Sequence, residues 1–283
     1  MPGAREIKRR IRSIGSTKKI TRAMQMVSAA KMRRAQLAVA ASRPYALYAR
    51  ELAARVQDKS AELPSGKNKS VKMIGLIVIT PNRGQVGALN SNVVSVARDF
   101  VLETQKQGKN ISILAMGKKA RDGMLRLGFS LELDFIKNDK NVSVADIQPL
   151  SKYIAESFVS GVFSEIHIAY PKFISTLNQK AVVEKVLPFE AADLAPSTTD
   201  YLFEPGRVEV LTALLPRIAE AHVYRAVLEA NASEHSARMV MMKNATEAAG
   251  DLVDELTLSY NRLRQANITK ELAEITAGRM AME

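Results

Sequence analysis

The sequence predicts an α/β protein: a long antiparallel coiled coil of the N- and C-terminal helices plus a central α/β domain inserted between them. Two terminal segments each carry one narrow apolar stripe at three- and four-residue spacing, and the middle alternates short β-rich runs with helical ones. The expected divisions are an N-terminal helix over residues 1–57, a central domain over 68–205 and a C-terminal helix over 208–283.

The first stretch, about residues 3–57, is rich in strong helix formers. Its stripe reads Ile7, Ile11 and Ile14, then Ile20, Met24 and Val27, then Met32 and Leu37. Thr17 and Lys18 interrupt it, so the stripe is expected to shift between its halves. Pro44 should kink or end the helix locally. In the middle stretch, the run Met73–Ile79 is too short to span a membrane and reads as a buried strand. A helix follows over Leu89–Gln107, then a strand over Ile111–Met116 and a short helix over Lys118–Leu127 stopped by Gly128. Leu131–Ile136 is a third strand, and Asp146 can cap the next helix with Pro149 in its first turn. Glu165–Tyr170 and Ala181–Leu187 are further strands. This alternation implies a Rossmann-like domain with a largely parallel sheet.

The third stretch holds a heptad seam from Leu211 to Asn267, and only Arg225, His235, Thr246 and Asn267 depart from apolar residues or Tyr. Pro216 should bend it near its start. From Arg217 to Met280 such a helix would be about 95 Å long, more than a compact globule contains. The two terminal helices therefore pair antiparallel, with the domain where they diverge. The tip of the longer C-terminal helix should extend past its partner as a single helix, or be held by something else.

Composition narrows the function. With 283 residues and 47% hydrophobic content the chain can bury a sizeable core. No run of about eighteen apolar residues occurs, so no spanning helix is expected. The basic N-terminus lacks an apolar signal core, so export is not expected. The absence of cysteine removes disulfides and thiol chemistry. The net charge of +12 sits within residues 1–57, where 14 Lys and Arg face only Glu6 and Glu51. An acidic partner is implied: nucleic acid, anionic membrane or an electronegative protein surface.

Several stretches carry a resemblance. Ile7–Ile14, Thr17–Met24, Met26–Met32, Ala232–Met239, Asn244–Thr246, Asp254–Leu258 and Tyr260–Thr269 closely resemble, in order, the gamma subunit of the rotary F-type ATP synthases, bacterial type. The likeness is strong at both ends and looser in the middle. It implies a central rotor shaft without an active site, cofactor or metal of its own. Such a shaft couples proton-driven rotation of a c-subunit ring to ATP synthesis or hydrolysis in a ring of alpha and beta subunits. Its implied partners are alpha, beta, epsilon and the c ring, at the cytoplasmic face of the cell (inner) membrane, with no nucleic acid. By the same resemblance Met24, Arg238, Arg264, Gln265 and Thr269 meet beta-subunit loops, and Tyr201 and Glu204 form the foot toward the c ring. There are departures. The family's Ser-Asp-Arg-Gly-Leu-Cys-Gly-Gly-Leu-Asn stretch is here Thr80–Asn90, with Asn82 in place of the Asp, and the C-terminal end is more polar. The cysteine-bearing insertion of photosynthetic relatives is missing, so thiol regulation is not expected.

Two other classes stay open at this point. A nucleic-acid-binding coiled coil would use the N-terminal charge, although the first aromatic there is Tyr45. A nucleotide-using enzyme would use Gly84–Gly87 after the first strand, but this stretch lacks both phosphate-loop spacings and reads better as a tight turn. His167, His222 and His235 suggest no metal set. Asp251, Asp254 and Glu255 read as a solvated helix face, and Met239, Met241 and Met242 as gap fillers.

Overall fold

A computed structural model describes residues 3–56, 73–138, 142–188, 204–280 and 282. Ten elements follow in order: α1 (Ala4–Val56), β1 (Met73–Ile79), α2 (Leu89–Lys106), β2 (Asn110–Met116), α3 (Lys118–Arg126), β3 (Leu133–Phe135), α4 (Val144–Val159), β4 (Glu165–Phe173), β5 (Gln179–Leu187) and α5 (Arg207–Met280). They form two compact units. One gathers α1 as far as Ser28 with α5 from Arg238 onward, and the other runs from Ala29 to Ala237.

In the larger unit the strands stand in the order β3-β2-β1-β4-β5, parallel except for β5, which is antiparallel to β4. Successive residues of β1 point to opposite faces, as the pleat requires. Ile77 and Ile79 pack with Phe158 of α4 and Ile218 and Val227 of α5, whereas Leu76 and Val78 pack with Val93 of α2 and Met124 of α3. The sheet is therefore covered on both sides, which is why its central strands are apolar throughout. Gly117 follows β2 at φ +101°, where a side chain would be strained and its Cβ would overlap the Thr80 carbonyl oxygen.

Two sequence expectations are corrected. The N-cap of α4 is Ser143, whose backbone N–H and hydroxyl both donate to the Asp146 carboxylate at 2.8 Å. Asp146 is thus the third residue of a capping box, and those bonds hold its carboxyl below the usual range. β3 is only three residues long, with Glu132 and Ile136 outside it. α1 runs through Pro44 to Val56, so the helix expected over about 3–57 forms and does not end at the proline.

In the smaller unit α1 and α5 run antiparallel. The hydroxyls of Thr21 and Thr246 lie 2.8 Å apart, and one turn further Lys18 extends beside Gly250, where a Cβ would come within 2.8 Å of Nζ. The α5 seam appears as expected: Met242 and Ala249 are buried, and Val253, Leu256, Tyr260 and Leu263 are half-buried. The α1 stripe does not shift. Ile7, Ile11, Ile14, Thr21, Gln25 and Ser28 keep one heptad frame, with Lys18 exposed within it and Met24 half-buried beside it. Ile20 and Val27, expected on the stripe, are 60% and 55% exposed. Helix period outranks side-chain polarity here: Thr21 and Ser28 are small enough to let α5 approach.

Candidate functional site

Site geometry begins at the carboxyl ends of the parallel strands in the larger unit. In open α/β sheets ligands bind there, where neighbouring strands connect in opposite directions. In this sheet that point lies between β1 and β4. It is occupied by the chain's own α5. The Ser233 hydroxyl donates to the Pro171 carbonyl at the end of β4 (2.8 Å), and the Ser236 hydroxyl donates to the Thr176 carbonyl in the β4–β5 turn (2.7 Å). Lys137, just beyond β3, donates to Glu234 at 2.7 Å, with the two side chains 1% and 6% exposed. Val86, in the loop after β1, packs against Ala237.

That loop is Gly84–Gly87, with Gln85 and Gly87 at φ 63° and 59°. It turns Val86 inward to a buried position, as a tight strand-to-helix turn does. Asn82 explains the departure noted from sequence. Its amide nitrogen donates to the Lys137 carbonyl (2.8 Å) while its oxygen accepts from the Lys118 N–H (3.1 Å). An Asp, ionised and acceptor-only, could make only the second bond.

A second polar group joins α5 to the sheet lower down. Arg225 lies 2.8 Å from Glu184 of β5, Lys172 of β4 reaches the same carboxylate at 2.8 Å, and the Tyr170 hydroxyl donates to Glu229 (3.2 Å). Burial alone would raise the Glu184 carboxyl, but Lys172 and Arg225 outweigh it and hold it below the ordinary range. Burial pushes the Glu229 carboxyl and the Tyr170 phenol up. These bonds consume the chemistry of the groups that make them. Among the described residues no group of three His, Cys, Asp or Glu is arranged to hold a metal ion, and no helix is long and apolar enough to cross a membrane.

The residues carried over by resemblance are not gathered into one site. Met24 is half-buried on α1, beside a groove of about 310 Å³ lined by Arg22, Gln25, Met26, Lys243, Thr246 and Glu247. Arg238 is half-buried on α5. Arg264, Gln265 and Thr269 are exposed about 40 Å further along the same helix. Gln265 and Thr269, four apart, share a helix face. Glu204 is exposed, and Tyr201 lies outside the described residues. The stretch that holds the dock, Ala232–Met239, was legible only through the resemblance; that Ser233, Glu234 and Ser236 bind the head there needed the fold.

Comparisons with known proteins agree along the whole chain. A family described as ATP synthase matches residues 3–282. The ATP synthase gamma chain of Roseiflexus castenholzii is 44% identical over 287 residues, covering 100% of this chain and 99% of that one. That of Desulforamulus reducens is 39% identical, covering 100% of both. Among solved structures, a chain from the Euglena gracilis mitochondrial ATP synthase (OSCP/F1/c-ring) aligns with TM-score 0.66 at 21% identity, over 99% of this chain and 94% of that one. One from the Tetrahymena thermophila mitochondrial ATP synthase (central stalk/c-ring) aligns with TM-score 0.62 at 22% identity, over 80% and 99%.

Proposed function

The chain belongs to the ATP synthase gamma-chain family, and from that premise we propose that it is the central rotor shaft of an F-type ATP synthase, with no active site of its own. It couples proton-driven rotation of a membrane c ring to ATP synthesis or hydrolysis in an alpha–beta ring. Its functional parts are the two shaft helices, 1–57 and 208–283, and the head, 68–205. The single observation that supports this most is the end of α5, where every residue from Arg264 to Met280 is exposed, Leu272 and Ile275 among them. Helical stability in proteins comes mostly from packing of an apolar face, so these uncovered apolar positions support an enclosing partner surface.

Rotation acts by differential contact. Each beta subunit meets a different face of the shaft, and its conformational equilibrium shifts by the difference in contact free energy. Met24, Arg238, Arg264, Gln265 and Thr269 serve as those contacts. Arg suits the task, since its fork donates to carboxylates and keeps its charge. Tyr201 and Glu204 face the c ring, and the head meets epsilon. The basic N-terminal segment then serves an electronegative protein surface rather than nucleic acid. The protein works at the cytoplasmic face of the cell membrane, held there through the complex.

The test is reconstitution. The isolated chain is expected to hydrolyse no ATP, and to restore ATP-driven proton pumping when added to alpha, beta, epsilon and the membrane sector lacking it. Pumping that is the same with and without the chain would refute the assignment.

A further inference from the structure

We infer that the buried Lys137–Glu234 pair is the key that fixes the 233–237 stretch of α5 over the strand ends of the head, and that coupled rotation depends on its being ionic; this rests on the rotor reading above. Four observations lead to it. The pair is the most deeply buried ion pair among those described, 2.7 Å apart with side chains 1% and 6% exposed. Both charges lost their hydration, and an apolar pair of similar volume generally stabilises a fold at least as well, so stability alone does not explain it.

Around Glu234 the buried α5 side chains are mostly small, whereas Ile218, Val223 and Val227 and the half-buried Arg225–Glu184 pair hold the helix nearer its start. Ala226, Ala230, Ala232, Ser233, Ser236 and Ala237 are all buried. Small side chains and non-directional apolar contact give this stretch of the helix little axial definition of its own. A hydrogen-bonded ion pair is directional, and one residue of slip moves the carboxylate about 1.5 Å out of reach.

The Lys137 end is itself anchored. Its carbonyl accepts from Asn82, whose oxygen accepts from the Lys118 N–H at the start of α3. The key is therefore fixed to the loops after β1, β2 and β3 together. The Glu234 end lies three residues before the point where α5 leaves the larger unit. Ser233 and Ser236 hold neutral bonds beside it, weaker than a charge-assisted one.

The experiment compares three complete complexes in vesicles, carrying wild-type chain, K137M/E234L or the exchanged pair K137E/E234K. The readouts are thermal unfolding of the full chain, ATP hydrolysis, and protons pumped per ATP hydrolysed. The apolar pair is expected to unfold within a few degrees of wild type and to hydrolyse ATP, yet to pump about threefold fewer protons per ATP. The exchanged pair should recover most of the pumping. Wild-type stoichiometry in the apolar variant overturns the inference, as does an exchanged pair no better than the apolar one. Should the apolar variant fail to assemble, E234D decides: it keeps both charges but withdraws the carboxylate by one methylene. Its unfolding temperature should fall, because the separated buried charges are left unmatched, and pumping per ATP measured below that temperature should fall as well; unchanged pumping overturns the inference. A wild-type chain that restores no pumping would instead remove the rotor reading itself.

Discussion

Glu184 shows how one residue carries both a structural role and a pH signature. Lys172 and Arg225 converge on it from a neighbouring strand and from α5. Its folded carboxyl therefore ionises below the ordinary value of about 4.5. The stability it contributes is fully present above that ordinary value and is lost as pH falls through the lower folded one. E184Q is expected to lower unfolding free energy at pH 7 by about 1–2 kcal/mol. The gap from wild type should narrow as pH drops below about 4.5. Thermal unfolding across pH 3–7 checks both, and a pH-independent gap would rule out the ionic contribution. Arg225 itself was visible in the sequence only as a flaw in a heptad series. Its partner lies 41 residues away, and no local pattern records that distance. Asn82 is similar: the departure from the family stretch could be read, but that it ties Lys118 to Lys137 needed the fold.

At the scale of the element, the long helices and the alternation of strands and helices were legible, because periodicity reports which face is covered. What the sequence did not yield was the register in the middle of α1. Apolarity pointed to Ile20 and Val27, whereas the heptad running through Ile7, Ile14, Thr21 and Ser28 is the covered face. Residues apolar for a purpose outside the pair look the same, letter by letter, as residues apolar for the pair. The two alternatives differ in a measurable way. I20S should leave thermal stability of the isolated chain within about 0.5 kcal/mol of wild type. T21D, which buries a carboxylate against α5, should cost about 2–3 kcal/mol. If I20S proves the more damaging of the two, the register is wrong.

For the whole molecule, what matters is that no single pocket carries the function. The candidate contacts are spread along two helices, so sequence could name them only through resemblance; spacing and charge alone did not distinguish Arg264 from any other exposed arginine. Replacing Arg264 and Gln265 together by Ala should leave helicity and thermal unfolding unchanged, since both are exposed. Coupled ATP synthesis by the assembled enzyme should fall by about tenfold, corresponding to roughly 1.4 kcal/mol of lost contact. Synthesis at the wild-type rate would exclude the pair from the contact set.

The placement of Ser233 and Glu234 over the strand ends has one more consequence. In relatives by architecture, that crevice receives a guest and releases it. Here the plug is part of the mounting, so clearing the crevice breaks the bonds of Ser233 and Glu234 and leaves α5 held by Arg225, Glu229 and its apolar packing. A visitor at the strand tips would therefore loosen the head's hold on this stretch of the helix.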